Sequence, residues 1–499
     1  MSEILEPSPP EGVTKRRTRL DPSPHFLPDL LNQYDAIHGC LELQIPADHE
    51  VRRVKAVIAR LDLSDIEAKY SSLGSKGYPP GNTLAVWVYA SQVGIHHSTA
   101  LAARMRTDGA FLYLSGGYEM SEGHLRKFRR ENLEFFTAAL QQTLRLAHED
   151  GLLRVDEIAV DSVRLRAEAS PSKVRTVSRS TRRLKELEAL DVASMDAQTR
   201  EKHQAKLEKH QEALRLCAEQ GRPNVVMTNP AAGLMKFPDG ASGPGHRVTA
   251  TVAGVSERFV VDIFVDAAGA DANHSRTALM RMRSGLEKAG VPLKGASIVF
   301  DAGYLTHEDL KAADEARWAE VIIDVPERPR RKGNGTSLFN YDDFSVDADG
   351  RMVCPAGRAM NGPLRDGPTR ARFTGVGCST CPLKEQCTTA PSRTLTMQDE
   401  YVTLRQAMKV KRQSPEGKTR YAKRIATVEP VFSYLEDVMG YRRVSSRMET
   451  AALAEISLKA LTYNLLRLRN AKRLACISLV VEARATGELF FELWTAKVI

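Results

Sequence analysis

The succession of segments between residues 157 and 325 most constrains the fold of this chain. Three segments rich in β-branched residues come first, which predicts strands that pair as a meander. Two segments with helical spacing then alternate with two more apolar strands. This order indicates an α/β fold, with a mixed sheet flanked by helices. In chain order the segments are EIAVDSVRL, RVTATVAGV, RFVVDIFVDA, SRTALMRMRSGLEKAG, ASIVF, a helix whose start is marked by Thr306 and Asp309, and EVIIDV.

The pattern changes at Gly151, and 499 residues are too many for one ordinary domain. Before Gly151, apolar residues recur at three- and four-residue spacing, which predicts an all-helical domain. Gly94 followed by Ser98 is typical of the turn and N-cap that a helix-turn-helix needs. The expected units are a disordered arm at 1–24, a helical domain at 25–150, an α/β domain at 151–440 with a helical-hairpin insert at 172–222 and a loop-rich insert at 333–395, and C-terminal helices at 441–499.

Basic residues exceed acidic ones, giving a formal net charge of +9 and a pI near 9.1. Such a balance favours a polyanionic partner, above all nucleic acid. No stretch approaches the roughly 18 apolar residues that would span a bilayer, so we expect a cytoplasmic protein. The segment LRKFRRENLEFF could contact DNA phosphates or form a solvated helix face through Arg126, Lys127, Arg129 and Arg130.

Four of the seven cysteines lie between residues 354 and 387. Cys354 precedes the pair Cys378-x2-Cys381 and then Cys387, a set that could supply four thiolates to a structural zinc ion. The spacing is irregular compared with common zinc fingers. Reduced cysteines in a loop, or a redox-sensitive cluster, are therefore the alternatives. The odd total favours a reducing compartment over a disulfide framework.

Two aspartates directly follow strand-like segments. Asp161 comes after IAV and Asp301 after SIVF. Ligands of open sheets usually bind beyond the carboxyl ends of parallel strands. If the two strands are neighbours, the carboxylates stand side by side, and a divalent metal would neutralise their repulsion. A strand-end aspartate more often caps a turn, but Gly303 and the following helix start favour Asp301.

Three blocks of the sequence resemble, in this order, those of the insertion-sequence DDE transposases: VDSVRLRAEAS, VFDAGYLTHEDL and RYAKRIATVEPVFSYLEDVMGYRRV. The subgroup it is most similar to has a helical N-terminal domain, a cysteine-containing insert and a final YNLLRL-like helix. Here that helix contains residues 463–468, and LAVWVYASQVGIHHSTALAARM followed by LRKFRRENLEFF resembles the subgroup's N-terminal domain.

The resemblance implies an RNase H-like catalytic core with Asp161, Asp301 and Glu429 as its three carboxylates. Two Mg²⁺ ions, for which Mn²⁺ could substitute, would be held by these residues for DNA cleavage and strand transfer at terminal inverted repeats. The partners would be the transposon ends, target DNA and further copies of the chain, with a dimer as the expected form. Localisation would be cytoplasmic, at the bacterial nucleoid. Because Pro430 follows Glu429, we expect a kink or a new helix start there.

The chain also departs from the family's pattern. His246-Arg247 stands where relatives have Tyr-Asn, and Glu436 stands where many have lysine. Tyr421 and Arg424 resemble the family's Tyr and Arg, but one extra residue separates them from Glu429. The residues expected to position DNA near the catalytic centre are Tyr421, Lys423, Arg424, Arg442 and Arg443. The alternatives are a DNA-binding protein that has lost catalysis and a plain RNase H-like nuclease.

Overall fold

The computed structural model describes residues 25–34, 39–268, 271–326, 331–333, 336–367, 370–398 and 400–486. Side chains are described for all of these except residues 331–337 and 472–486. The arm expected at residues 1–24 lies outside the described residues, as does the chain beyond residue 486. None of the described helices is long and apolar enough to cross a lipid bilayer.

The described N-terminal part is helical up to residue 149. Its helices are α1 (Leu41–Gln44), α2 (Glu50–Ile58), α3 (Ser64–Glu67), α4 (Pro80–Gln92), α5 (Ser98–Met105), α6 (Gly109–Ser115), α7 (Glu122–Glu131) and α8 (Leu133–Glu149). Gly94 has a φ of +75° in the turn before α5, as its lack of a Cβ allows. The N-cap of α5 is His97, one residue earlier than expected. Trp87 is fully buried, and its Nε1 donates to the Leu125 carbonyl at 3.2 Å, which ties α4 to α7.

Strands and helices then follow along the chain. They are β1 (Ile158–Ala167), β2 (Val174–Thr176), α9 (Val177–Glu188), α10 (Ala197–Glu219), β3 (Asn224–Val226), β4 (Gly233–Lys236), β5 (Ser242–Ala253), β6 (Phe259–Asp266), α11 (Ser275–Lys288), β7 (Ser297–Phe300), α12 (His307–Glu315) and β8 (Glu320–Ile323). The side chain of Thr306 accepts from the amide of Asp309, so the expected cap of α12 is confirmed. Within the segment 172–222, α9 and α10 are two consecutive helices that pack on each other.

The main sheet has the central strand order β6-β5-β1-β7-β8. β5 is antiparallel to both β1 and β6, whereas β7 and β8 run parallel to β1. β4 continues the β6 edge of β5. The carboxyl ends of β1, β6, β7 and β8 therefore point in the same direction. The predicted mixed α/β sheet, a meander followed by strand–helix alternation, is confirmed.

The remaining described elements form the cysteine-containing insert and the C-terminal part. They are β9 (Arg331–Gly333), β10 (Thr336–Leu338), β11 (Ser345–Val346), β12 (Met352–Val353), β13 (Asn361–Arg365), β14 (Arg370–Thr374), α13 (Lys384–Cys387), β15 (Thr394–Gln398), α14 (Tyr401–Gln413), α15 (Pro415–Ser433), β16 (Arg443–Val444) and α16 (Glu449–Thr486). The insert has an apolar cluster of its own, which includes Phe344, Met352 and Leu395. β16 pairs in parallel with the end of β1.

Helix α15 continues through Pro430, so the expected kink or helix start at Glu429 is wrong. Proline has no N–H, which deprives the carbonyl of Ala426 of its helical donor. Nε of Arg258 donates to that carbonyl at 2.8 Å and replaces the lost bond. A π-helical turn, Tyr434–Val438, follows α15 directly.

Two apolar cores lie on opposite faces of the sheet. Alternate residues of β1 supply them, with Ile158 in the core shared with the N-terminal helices and Ala159 in the core shared with α15. Helix α16 contributes to both, for example through Leu458 to the first and Ile456 to the second. The N-terminal helices and the sheet are therefore joined by α16.

Candidate active site

Asp161 and Asp301 lie side by side on neighbouring strands. β1 and β7 are in parallel register up to the pair Val160↔Phe300, so the next residue of each strand is a carboxylate. Asp161 is still within β1, and Asp301 is the first residue after β7. Both carboxylates therefore occupy the crevice at the carboxyl end of β7.

Burial and charge act together on this pair. Burial raises the pKa of Asp161, while Nη1 of Arg424, 2.5 Å from its Oδ2, opposes that rise. The pKa of Asp301 is raised by burial and then by the negative charge of Asp161. Backbone amides orient both groups, since Ser162 N donates to Asp161 and Gly303 N to Asp301, each at 2.8 Å. Two carboxylates that resist ionising together are a natural pair for a cation.

A third carboxylate, Asp271, belongs to the same cluster. The hydroxyl of Ser162 donates a hydrogen bond to its Oδ1, and Nη1 of Arg247 lies 3.2 Å from the same oxygen. Its charge also contributes to the raised pKa of both Asp161 and Asp301. Sequence reasoning missed Asp271 because it lies in a loop five residues beyond β6. The signal that could have found it is the carboxyl end of β6, which points the same way as those of β1 and β7.

A buried phenol points into the cluster. Tyr304 is fully buried, and its hydroxyl is without a hydrogen-bond partner among the described residues. Burial raises the pKa of Tyr304, and the charge of Asp271 adds to that rise. An unpaired buried hydroxyl is costly, which fits a site that takes up a further polar group or ion.

The structure does not bring Glu429 into this cluster. Its side chain is exposed, and no side-chain hydrogen bond or ion pair in the described part of the chain involves it. Glu429 is five positions after Arg424. At 100° per residue, its side chain therefore lies about 140° around the axis of α15 from that of Arg424. Arg424 reaches Asp161, and Thr427, Val428 and Val431 are buried, so the opposite side of the helix carries Glu429.

The donor set suits a divalent cation in its chemistry. Carboxylate oxygens are the ligands that Mg²⁺ prefers, and three aspartates supply them here. Nevertheless, no group of three or more His, Cys, Asp or Glu side chains among the described residues is already arranged as a metal cage. Arg424 holds Asp161 and Arg247 holds Asp271, so cation binding requires at least the Arg424 side chain to move.

The four basic residues of α7 have different environments. Arg126, Lys127 and Arg130 are exposed, and Arg126 pairs with Glu122 at 2.8 Å. Arg129 is buried, lies 5.0 Å above the Trp87 ring and donates to the carbonyl of His96. The expectation that Arg129 contacts DNA or solvent is therefore corrected, because protein encloses its guanidinium.

The basic residues expected near the centre are mostly paired with protein groups. Lys423 pairs with Glu157, and the Tyr421 ring lies 3.8 Å from the Arg412 guanidinium. Arg442 is exposed and pairs with Asp437 at 2.8 Å. Arg443 donates to the carbonyl of Ala167 at 3.1 Å, beside the end of β1. Of the predicted set, Arg424 is the residue that reaches the carboxylate cluster.

The four cysteines of the insert line one cavity, which Phe339 and Leu383 also border. Burial raises the pKa of Cys387, and the charges of Cys378, Cys354 and Cys381 add to that rise. All four are free thiols. Although they share this cavity, they do not form a group that could hold a metal ion among the described residues. Structural zinc stays a prediction.

Two family models match the chain. One, described as a transposase DDE domain, matches residues 353–469, and the other, described as a transposase domain, matches residues 39–131. The first spans the cysteine cluster and Glu429, and the second spans α1 to α7. None of the curated proteins compared with the chain matches it. The two matches, each over part of the chain, support an insertion-sequence DDE transposase.

Proposed function

We propose that this protein is a metal-dependent DNA transposase that cleaves and joins DNA at the terminal inverted repeats of its element. The observation that carries the proposal is the placement of Asp161 beside Asp301 on parallel strands. The proposed fold of the catalytic domain is RNase H-like. Its support is the strand order β6-β5-β1-β7-β8, in which β5 runs antiparallel to the other four strands.

The chain's own residues hold and orient the carboxylates. The amides of Ser162 and Gly303 fix one oxygen each of Asp161 and Asp301. The other oxygen of Asp161 is held by Arg424 and becomes free for a cation once that side chain moves. Two bound Mg²⁺ ions would supply activation of the attacking water or 3′-hydroxyl and stabilisation of the departing oxygen. Arg424, once separated from Asp161, provides a guanidinium at the site that can hold a DNA phosphate.

The third carboxylate of the proposed centre is Glu429, on the resemblance to the family. Asp271 is proposed as a supporting carboxylate, because it already hydrogen-bonds the residue next to Asp161. In this arrangement Asp271 orients Ser162, the residue after Asp161 on β1, and Arg247 balances its charge.

An Asp301→Asn variant tests the proposal. The amide keeps the side chain's shape but removes the charge that a cation needs, so the variant should bind DNA carrying the element's terminal repeats and cleave none of it. Gel shift and cleavage with Mg²⁺ are measured on the same DNA. Asp262→Asn is the matched control, since Asp262 lies on β6 and pairs with Arg281 at 2.8 Å instead of joining the cluster. Wild-type cleavage by Asp301→Asn would remove Asp301 from the mechanism.

A second candidate function is DNA binding without catalysis. The exposure of Glu429 and the ion pair between Arg424 and Asp161 favour it. This candidate requires that the wild-type protein bind the repeats but leave them intact with Mg²⁺ or Mn²⁺. Cleavage by the wild type would exclude it.

A further inference from the structure

The helical-hairpin insert between β1 and β5 carries basic side chains that the proposed active site does not use. We propose that four of them bind the phosphate backbone of the duplex DNA held at the active site. These four are Lys173, Arg175, Arg179 and Lys209, called the basic hairpin face below. The choice of DNA as the polyanion rests on the proposed function; the position of the surface does not.

The base of the hairpin brings these residues together. β2 pairs antiparallel with β3, which closes the insert, and both α9 and α10 pack against β2. Lys173 directly precedes β2, Arg175 lies on β2, Arg179 on α9 and Lys209 on α10. Lys173, Arg179 and Lys209 are exposed, and Arg175 is half-buried.

The charge of this face is not balanced by acidic residues. Nη1 of Arg175 donates to the carbonyls of Ser172 and Val174, at 2.8 Å each, so neutral groups hold its guanidinium. No ion pair within the described residues links any of the four to a carboxylate. Consistent with this, the positive charge of Arg175 lowers the pKa of Lys209. Burial and the charge of Lys173 lower it further. Repulsion among uncompensated cations is relieved by a bound polyanion.

Two other cations of the same hairpin, Arg183 and Arg215, are paired with glutamates. Arg215 on α10 pairs with Glu212 at 2.6 Å and also with Glu219. Arg183 on α9 pairs with Glu186 at 2.6 Å. Neutralised pairs of this kind make solvated helix surfaces, whereas the basic hairpin face concentrates positive charge.

The face is within reach of DNA at the active site. Lys173 is 12 residues beyond Asp161, and a chain of that length spans at most about 40 Å. A DNA duplex bound at the active site can cover that distance. A duplex whose backbone meets Asp161 can therefore extend over the base of the hairpin.

The salt dependence of binding to a generic duplex DNA probe tests the inference, because phosphate contacts are independent of sequence. Each lost phosphate contact lowers the slope of log affinity against log salt by about 1. The double variant Arg175→Ala/Lys209→Ala should therefore bind more weakly at low salt, with a slope lower by about 2. The control, Arg183→Ala/Arg215→Ala, removes two paired cations from the same hairpin and should keep the wild-type slope.

Single variants guard against loss of the fold. Lys209 is exposed, so Lys209→Ala leaves the hairpin intact by circular dichroism and should lower the slope by about 1. Wild-type slopes for Lys209→Ala and the Arg175/Lys209 double variant would overturn the inference and leave the proposed function standing. Altered self-association at an unchanged slope would overturn it in favour of a partner subunit. Absence of duplex binding by the wild type would overturn both proposals.

Discussion

A neighbouring carboxylate, more than a place near a strand, separates Asp161 and Asp301 from the structural aspartates. Asp262 and Asp324 also lie in or after strands, but arginines neutralise them, with N–O distances of 2.8 and 2.9 Å. Asp301 accepts a backbone amide and faces another carboxylate. A carboxylate with no cationic partner of its own, held beside a second one, gains most from a bound cation.

The third carboxylate can be identified by comparing two variants. Glu429→Gln should abolish cleavage if Glu429 is a metal ligand. Asp271→Asn should lower activity by about 10- to 100-fold, the usual effect of removing a group that supports a ligand. Cleavage rates and Mn²⁺ affinity, followed by electron paramagnetic resonance, are the measurements. Full activity of Glu429→Gln, with none for Asp271→Asn, would assign the third ligand to Asp271.

Arg129 and Arg126 should have opposite effects although both are on α7. Arg129→Ala leaves the buried Glu455 without its nearest cation and should reduce the free energy of unfolding by about 3 kcal/mol. The salt dependence of DNA binding should stay unchanged. Arg126→Ala should leave stability unchanged and lower the salt slope by about 1 if α7 contacts DNA. Denaturant unfolding and DNA titrations measure the two effects, and a stable Arg129→Ala variant would contradict the structural role.

At the level of elements, α15 combines two roles. Its buried side packs Val428 and Val431 into the core, and its Arg424 reaches the carboxylates.

The cysteine-containing insert is a separate case, since its short strands enclose a small core beside the four thiols. So few apolar residues give a small folding free energy, which a structural metal would increase.

Metal analysis tests the insert. We expect one zinc ion per chain, released by a strong chelator with local unfolding of the insert. Cys381→Ser should lose the zinc. Cys217→Ser is the control, because Cys217 is buried on α10 outside the cluster. If protein prepared in the presence of zinc contains no zinc, and its insert still resists proteolysis, the four residues are reduced cysteines and not zinc ligands.

At the scale of the whole molecule, a buried polar cluster joins the N-terminal helices to α16. Glu455 accepts from Tyr441 and Ser446, at 2.8 and 2.7 Å. Lys459 donates to His96 Nδ1 at 3.0 Å, and His96 Nε2 lies 2.8 Å from the Met439 carbonyl. These contacts require a neutral imidazole that donates through Nε2. Protonation of His96 would place two cations side by side.

Stability should therefore fall in mild acid. The pKa of His96 is lowered from 6.5 to about 4, mainly by burial and secondly by the positive charge of Lys459. Between these values His96 binds more protons in the unfolded chain, so its contribution to the free energy of unfolding decreases as pH falls from 6.5 to 4, by at most about 1.4 kcal/mol per pH unit. Urea unfolding across this range measures it. His96→Asn should reduce the slope, and His148→Asn, at an exposed histidine, should not.

Much of the fold was predictable because local patterns agree with the final architecture. The β-branched segments became β1, β5, β6, β7 and β8, and the Thr306 cap and the α9–α10 hairpin were also predicted. The helix through Pro430 was not, because the compensating donor, Arg258, is 172 residues earlier in the chain. The burial of Arg129 was missed for the same reason, since Trp87 and Glu455 lie on α4 and α16.

The amino-acid sequence alone determined the alternation of strands and helices, the positions of Asp161 and Asp301 within or directly after strands, and the resemblance to DDE transposases. Each of these depends on residues close together in the chain. Only the tertiary structure decided that Asp271 and Tyr304 join the carboxylates, that Glu429 faces solvent, and which cations remain unpaired. Those outcomes depend on strand order and helix rotation, which contacts between distant residues establish.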